Sequence, residues 1–120
     1  NLIYSGRAVM PSNGFQGYFY AERPAKTKIV LHFTVGVLKG DLSVLMSATR
    51  GHVSVAFVGA RDGMIYRPFS SGAWSYHLGR GALGGNTAGS KETIGIELSN
   101  LGPLTREGDK LMTAYNQEYC

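Results

Sequence analysis

KIVLHFT, residues 28–34, sets branched and bulky apolar side chains at Ile29, Val30, Leu31 and Phe33 around a histidine at position 32. Such a run suits a strand at the centre of a sheet, covered on both faces. Side chains alternate along a strand, so His32 shares a face with Val30 and Thr34, while Ile29, Leu31 and Phe33 point the other way. A histidine so placed needs a partner. It is either a core residue bonded to a neighbouring backbone or hydroxyl group, or a metal ligand at a strand end, where clefts open.

Downstream, Gly36 and Gly40 frame a loop. Asp41 is suited to cap a helix running to about Thr49, with Leu42, Leu45 and Met46 as its buried stripe and Gly51 as its left-handed terminator. HVSVAFVGARDGMIYRPF, residues 52–69, predicts two strands, Val53 to Val58 and Met64 to Arg67, joined by a tight turn at Arg61-Asp62-Gly63. Val53, Val55 and Phe57 fall on one face of the first. Pro68 ends the second, and the glycine-, serine- and alanine-rich stretch to Ser90 reads as a long loop. Its Trp74, Tyr76 and His77 argue for a functional loop, since a disordered linker has no use for the chain's single tryptophan.

ETIGIELSN, residues 92–100, is the last clear strand, with Ile94, Ile96 and Leu98 on one face and Thr93, Gly95, Glu97 and Ser99 on the other. Glu97 is either a solvated residue on the polar face or a carboxylate beside space that Gly95 leaves for a ligand or another backbone. Beyond LGPL, Thr105 to Tyr119 has helical character, with Leu111, Met112 and Tyr115 as its apolar face and Gly108 working against it. Residues 1–27 form an arm with a short strand expected at Tyr18 to Ala21. Its aromatics, Phe15, Tyr18, Phe19 and Tyr20, either pack on the domain or stack on carbohydrate.

At 120 residues and 43% hydrophobic content the chain makes one domain with a modest core. Its 17 glycines follow no fixed period and imply many turns and close backbone approaches. A net charge of +4 leans toward anionic partners such as nucleic acid, membrane surfaces or acidic cell-wall polymers. The basic residues form no stripe or reader motif, which argues against nucleic acid. Cys120 is the only cysteine, so no internal disulfide exists. No apolar run has the length of a membrane span, and nothing resembles a signal peptide. A chain running from Asn1 to Cys120 without an initiator methionine is expected to be a piece of a longer protein.

A strand ending in histidine, a hairpin turning on RDG followed by MIY, a Trp-x-x-His loop and a strand reading IGIEL stand here in one order. Over about residues 28 to 101 that order resembles the zinc-dependent N-acetylmuramoyl-L-alanine amidases of phage lysozymes, cell-wall recycling amidases and animal peptidoglycan recognition proteins. IVLHFT is similar to the family's IVIHHT, VSVAFVGARDGMIY to VSYHFVIDRDGTIY, and ETIGIELSN to NSIGIELEN. AWSYHLG is similar to AWHAG, with two residues inserted between Trp74 and His77.

The resemblance implies an α/β fold, a central mixed β-sheet flanked by helices. Residues 1–27 would be the N-terminal arm, 28–101 the motif-bearing core, and 102–120 the start of a C-terminal part whose remainder is missing. It implies Zn²⁺ held by His32, with the remaining ligands beyond Cys120, and Glu97 assisting water in cleaving the amide between the lactyl group of muramic acid and L-alanine in peptidoglycan. Trp74, Tyr76, His77 and Asn86 would line the substrate groove, with Trp74 or Tyr76 against a sugar or peptide face and His77 donating a hydrogen bond to substrate. The place of action would be the bacterial cell wall, reached by phage release or export. Val55 stands where the phage-lysozyme branch has a catalytic tyrosine and Ala56 where the next histidine would be, which leaves the glutamate route open. His52 matches no family ligand and is read as a surface or loop histidine. A peptidoglycan-binding module without cleavage, or a structural component of a phage particle, are the alternatives, and zinc content separates the first from an enzyme.

Overall fold

The computed structural model describes residues 8–9, 17–47 and 52–119. Its centre is a five-stranded mixed sheet ordered β1 (Ala8–Val9), β4 (Ile65–Tyr66), β3 (Phe57–Gly59), β5 (Thr93–Leu98) and β2 (Lys28–Phe33). Two helices, α1 (Leu38–Leu45) and α2 (Asn86–Glu92), accompany it, and β6 (Thr105–Glu107) pairs with β7 (Lys110–Met112) in a separate hairpin. The class is α/β, as expected. β5 runs parallel to both β2 and β3, and β3 is antiparallel to β4. The register sets Val30 beside Gly95 and His32 beside Glu97, with Val58 on the far side of Glu97.

The apolar run of β2 does not make it a central strand. β2 forms one edge of the sheet, and Ile29, Leu31 and Phe33 are 63%, 64% and 55% exposed. Side-chain composition fits an edge as well as a centre, because, among the described residues, what makes β2 an edge is that only β5 pairs with it, and what exposes its apolar residues is the lack of a covering layer on their face. One core cluster lies on the opposite face, where Leu45, Val55 and Val58 are buried with Leu38, Leu42 and Tyr66 partly buried around them. A second, joining Ala56, Phe69 and Ala73 to Phe57 and Ile94, lies on the face of Ile29 and Leu31, farther into the sheet.

α1 starts after Val37, earlier than the cap expected at Asp41. Asp41 sits in the first turn, where a carboxylate complements the helix dipole. The N-cap residue is Val37, which makes no side-chain capping bond, and the Asp41 carboxylate accepts from Thr34 Oγ1 at 2.8 Å and Ser99 Oγ at 2.5 Å. Leu45 is buried and ends the helix; the positions of Thr49 and Gly51 lie outside the described residues.

The RDG turn forms as expected, with Gly63 at φ +88° and Asp62 Oδ1 accepting from the Met64 amide at 3.0 Å. β3 is shorter than the sequence suggests. Val53 makes only an isolated bridge to Tyr76, and a bend at Ala56 resets the alternation, so Val55 packs with Val58 and not with Phe57. The long loop holds α2, whose NTAGSKE has no apolar stripe to announce it, and the helix runs straight into β5. Thr105 to Tyr119 is not helical. Gly108, at φ +62°, opens the two-residue turn of the β6–β7 hairpin, a conformation that breaks a helix.

In the arm, Tyr20 and Trp74 exchange backbone hydrogen bonds of 2.8 and 3.3 Å in place of a short strand. The Tyr20 ring stacks on Trp74 and Phe19 on Phe69, so these aromatics pack on the domain. Phe15 lies outside the described residues.

Candidate functional site

Parallel strands β2 and β5 end side by side, and register partners in a sheet project to the same face. His32 and Glu97 are such partners. Glu97 is half-buried at one side of a cleft of about 500 Å³ that Thr34, Asp41, Val44 and Tyr115 also line. Tyr115 Oη donates to the Val35 carbonyl across this cleft's rim. Burial, and secondarily the charge of Asp41, raise the Glu97 pKa above the ordinary glutamate value. A carboxylate so placed is a stronger proton acceptor than a solvated one.

On the same face the loop after β4 delivers His77 to His32. His32 Nε2 lies 2.9 Å from His77 Nδ1, with the rings perpendicular. The other His77 nitrogen, Nε2, is 2.8 Å from Thr93 Oγ1, and Thr93 Oγ1 donates to the Gly89 carbonyl at 2.7 Å. Burial lowers the pKa of His32. Burial, then the charges of His32 and Lys26, lower His77 to about 4.

Gly95 is where the two rings find room. A Cβ there would stand 2.9 Å from His77 Nδ1 and 3.0 Å from Val55 Cγ1. The space expected for a ligand beside Glu97 is thus filled by His77. With both ring nitrogens engaged, by His32 and Thr93, His77 has no free N–H for the substrate-donor role that the resemblance implies. A small residue on one strand beside a histidine on the next was the sequence signal for a ring between them. What hid it was the insertion after Trp74, since only the loop's path decides which histidine arrives.

Trp74 also departs from expectation. It is 5% exposed, stacked on Tyr20 at 4.3 Å between centroids, with the Lys91 ammonium 5.2 Å from its ring centre and Nε1 donating to Glu22 Oε2 at 3.2 Å. An indole so enclosed holds the arm to the loop and has little surface for a sugar. Tyr76 is half-buried, edge-on to Trp74, its hydroxyl 3.0 Å from Thr87 Oγ1. Asn86 opens α2, where its Oδ1 accepts from Ser90 Oγ at 3.2 Å. His52 is exposed and stacks on Tyr18, in keeping with a surface role. Among the described residues no three His, Cys, Asp or Glu side chains gather to hold a metal.

No protein-family model matches the chain, and no curated protein does. Among solved structures, a mutant endolysin from Bacillus subtilis is similar to it at 22% identity with a TM-score of 0.49. That similarity covers 77% of this chain, and the chain spans 58% of the endolysin's.

Proposed function

We propose that the chain carries part of the active site of a zinc-dependent peptidoglycan amidase, with His32 as a metal ligand and Glu97 as general base. The observation that supports this most is their juxtaposition. His32 and Glu97 are register partners toward the carboxyl ends of adjacent parallel strands, where α/β sheets bind ligands. They sit in a chain whose segments resemble those of the amidases in the same order.

His32 fits one position of a zinc site, as an imidazole near a strand's end with its Nε2 held against a second ring. The other ligands of the proposed site lie outside the described residues, which bring no trio of ligands together. Bound there, zinc would supply Lewis acidity that lowers the pKa of a coordinated water to about 7. Glu97 takes the proton of the attacking water and returns it to the departing amine of L-alanine. Its raised pKa suits both halves of that transfer. Tyr76 and Asn86 remain as groove residues in this reading; Trp74 and His77 do not. The +4 charge is compatible with a cell wall rich in anionic polymers. No helix among the described residues is long and apolar enough to cross a membrane.

A second reading, a module that binds peptidoglycan without cleaving it, draws support from the lack of a three-ligand cluster among the described residues. The two separate in one assay on purified peptidoglycan with the complete protein. An amidase frees stem peptides with new alanine amino termini, stops when chelated and recovers with Zn²⁺. Retention on peptidoglycan with no amine released supports the binding module, and new reducing ends or chelator-insensitive cleavage would overturn the amidase reading.

A further inference from the structure

The hydrogen bonds around His77 have a direction that the side-chain chemistry dictates. A carbonyl only accepts, so the Thr93 hydroxyl, 2.7 Å from the Gly89 oxygen, must spend its single proton there. Were that proton turned toward His77, two oxygen lone pairs would face each other in a buried place, since Thr93 is only 5% exposed. Thr93 Oγ1 therefore accepts from His77, and His77 carries its proton on Nε2. In the neutral ring that prevails above the ordinary imidazole pKa of about 6.5, this is the only N–H, which leaves Nδ1 bare. Across the 2.9 Å contact the proton must then belong to His32 Nε2.

We propose that Gly89, Thr93 and His77 form a one-way relay that fixes His32 as its Nε2–H tautomer, so that Nδ1 is the lone pair His32 presents to a ligand. His77 is thereby a positioning residue. It touches no reacting atom and acts by selecting which nitrogen of its neighbour is free, as a second imidazole or carboxylate does behind many metal ligands. Gly95 is part of the device, because its missing side chain admits the His77 ring. That the ligand is zinc rests on the amidase reading above; the tautomer does not.

Long-range ¹H–¹⁵N correlation spectra of the metal-free, ¹⁵N-labelled chain at neutral pH report the protonated nitrogen of each ring. Both His32 and His77 should carry hydrogen on Nε2. Thr93→Val, close in shape but without the accepting oxygen, should shift His77 toward a tautomer mixture and raise the Nδ1–H population of His32. Thr93→Ser should restore the wild-type pattern. A wild-type His32 protonated on Nδ1 overturns the relay, and so does a Thr93→Val protein with a well-dispersed spectrum and unchanged tautomers. The wild-type spectrum decides the matter even if Thr93→Val fails to fold. In a further arm Zn²⁺ alone is added. A response at His32 Nδ1 supports the assignment, and a response at Nε2 with loss of the His77 contact overturns it. Expected tautomers with no zinc response support the relay, and they are what a chain holding only one of the proposed ligands should give, so the amidase reading is judged by the peptidoglycan assay above.

Discussion

Gly95 owes its identity to an imidazole ring. A methyl group at this position would meet His77 Nδ1 at 2.9 Å and Val55 Cγ1 at 3.0 Å, both parts of well-held side chains. Gly95→Ala should therefore destabilise the fold by about 1–3 kcal/mol, the usual range for overpacking, and displace His77 from His32. Urea denaturation measures the first effect and histidine NMR the second. His77 also gives stability a pH dependence of definite sign. Its pKa is about 4 in the folded chain against an ordinary 6.5, so between those values the unfolded chain holds a proton that the folded chain does not. The contribution is intact above 6.5 and is lost as pH falls toward 4. His32, also lowered by burial, acts in the same sense, whereas Glu97, raised by burial and Asp41, acts in the opposite one. Comparing urea midpoints of wild type and His77→Gln over that range isolates the term. The variant should show the shallower fall, and parallel curves would contradict a buried neutral His77.

At the level of elements, the two strands that frame the site were legible because a period of two is a strong signal: β5 separates Thr93, Gly95 and Glu97 from its isoleucines as the sequence reads. Position within the sheet was not legible. The same apolar residues of β2 serve an edge whose outer face stays open, and the consequence can be measured. Val58 is 0% exposed and Leu31 is 64% exposed. Val58→Ala should cost about 2 kcal/mol, from about 0.8 kcal/mol per buried methyl plus a cavity term, whereas Leu31→Asn should stay within about 0.5 kcal/mol. A loss at Leu31 as large as at Val58 would mean that this face is covered in solution. Two other elements escaped for local reasons. α2 has no apolar stripe, and it is held by Ser90 bonding to Asn86 and by Thr93 bonding to Gly89. The segment after Thr105 spaces Leu111, Met112 and Tyr115 as a helix would, yet Gly108 turns the chain before a helix can form.

For the molecule as a whole, the sequence conveys the α/β class and the meeting of His32 with Glu97, because both follow from strand parity and from the order of the motifs. The roles of Trp74 and His77 depend on how one inserted loop closes against β5 and the arm, which parity does not encode. The central claim is that Glu97 performs chemistry and His32 holds metal. It is tested most directly by measuring amide cleavage and zinc content together in the complete protein carrying Glu97→Gln or His32→Ala. Gln keeps the shape of the glutamate and cannot accept the proton, so Glu97→Gln should lose about 10²- to 10⁴-fold in peptidoglycan cleavage while retaining its zinc. His32→Ala should lose both. Near-normal cleavage by the Glu97→Gln protein, or full zinc in the His32→Ala protein, would contradict the account.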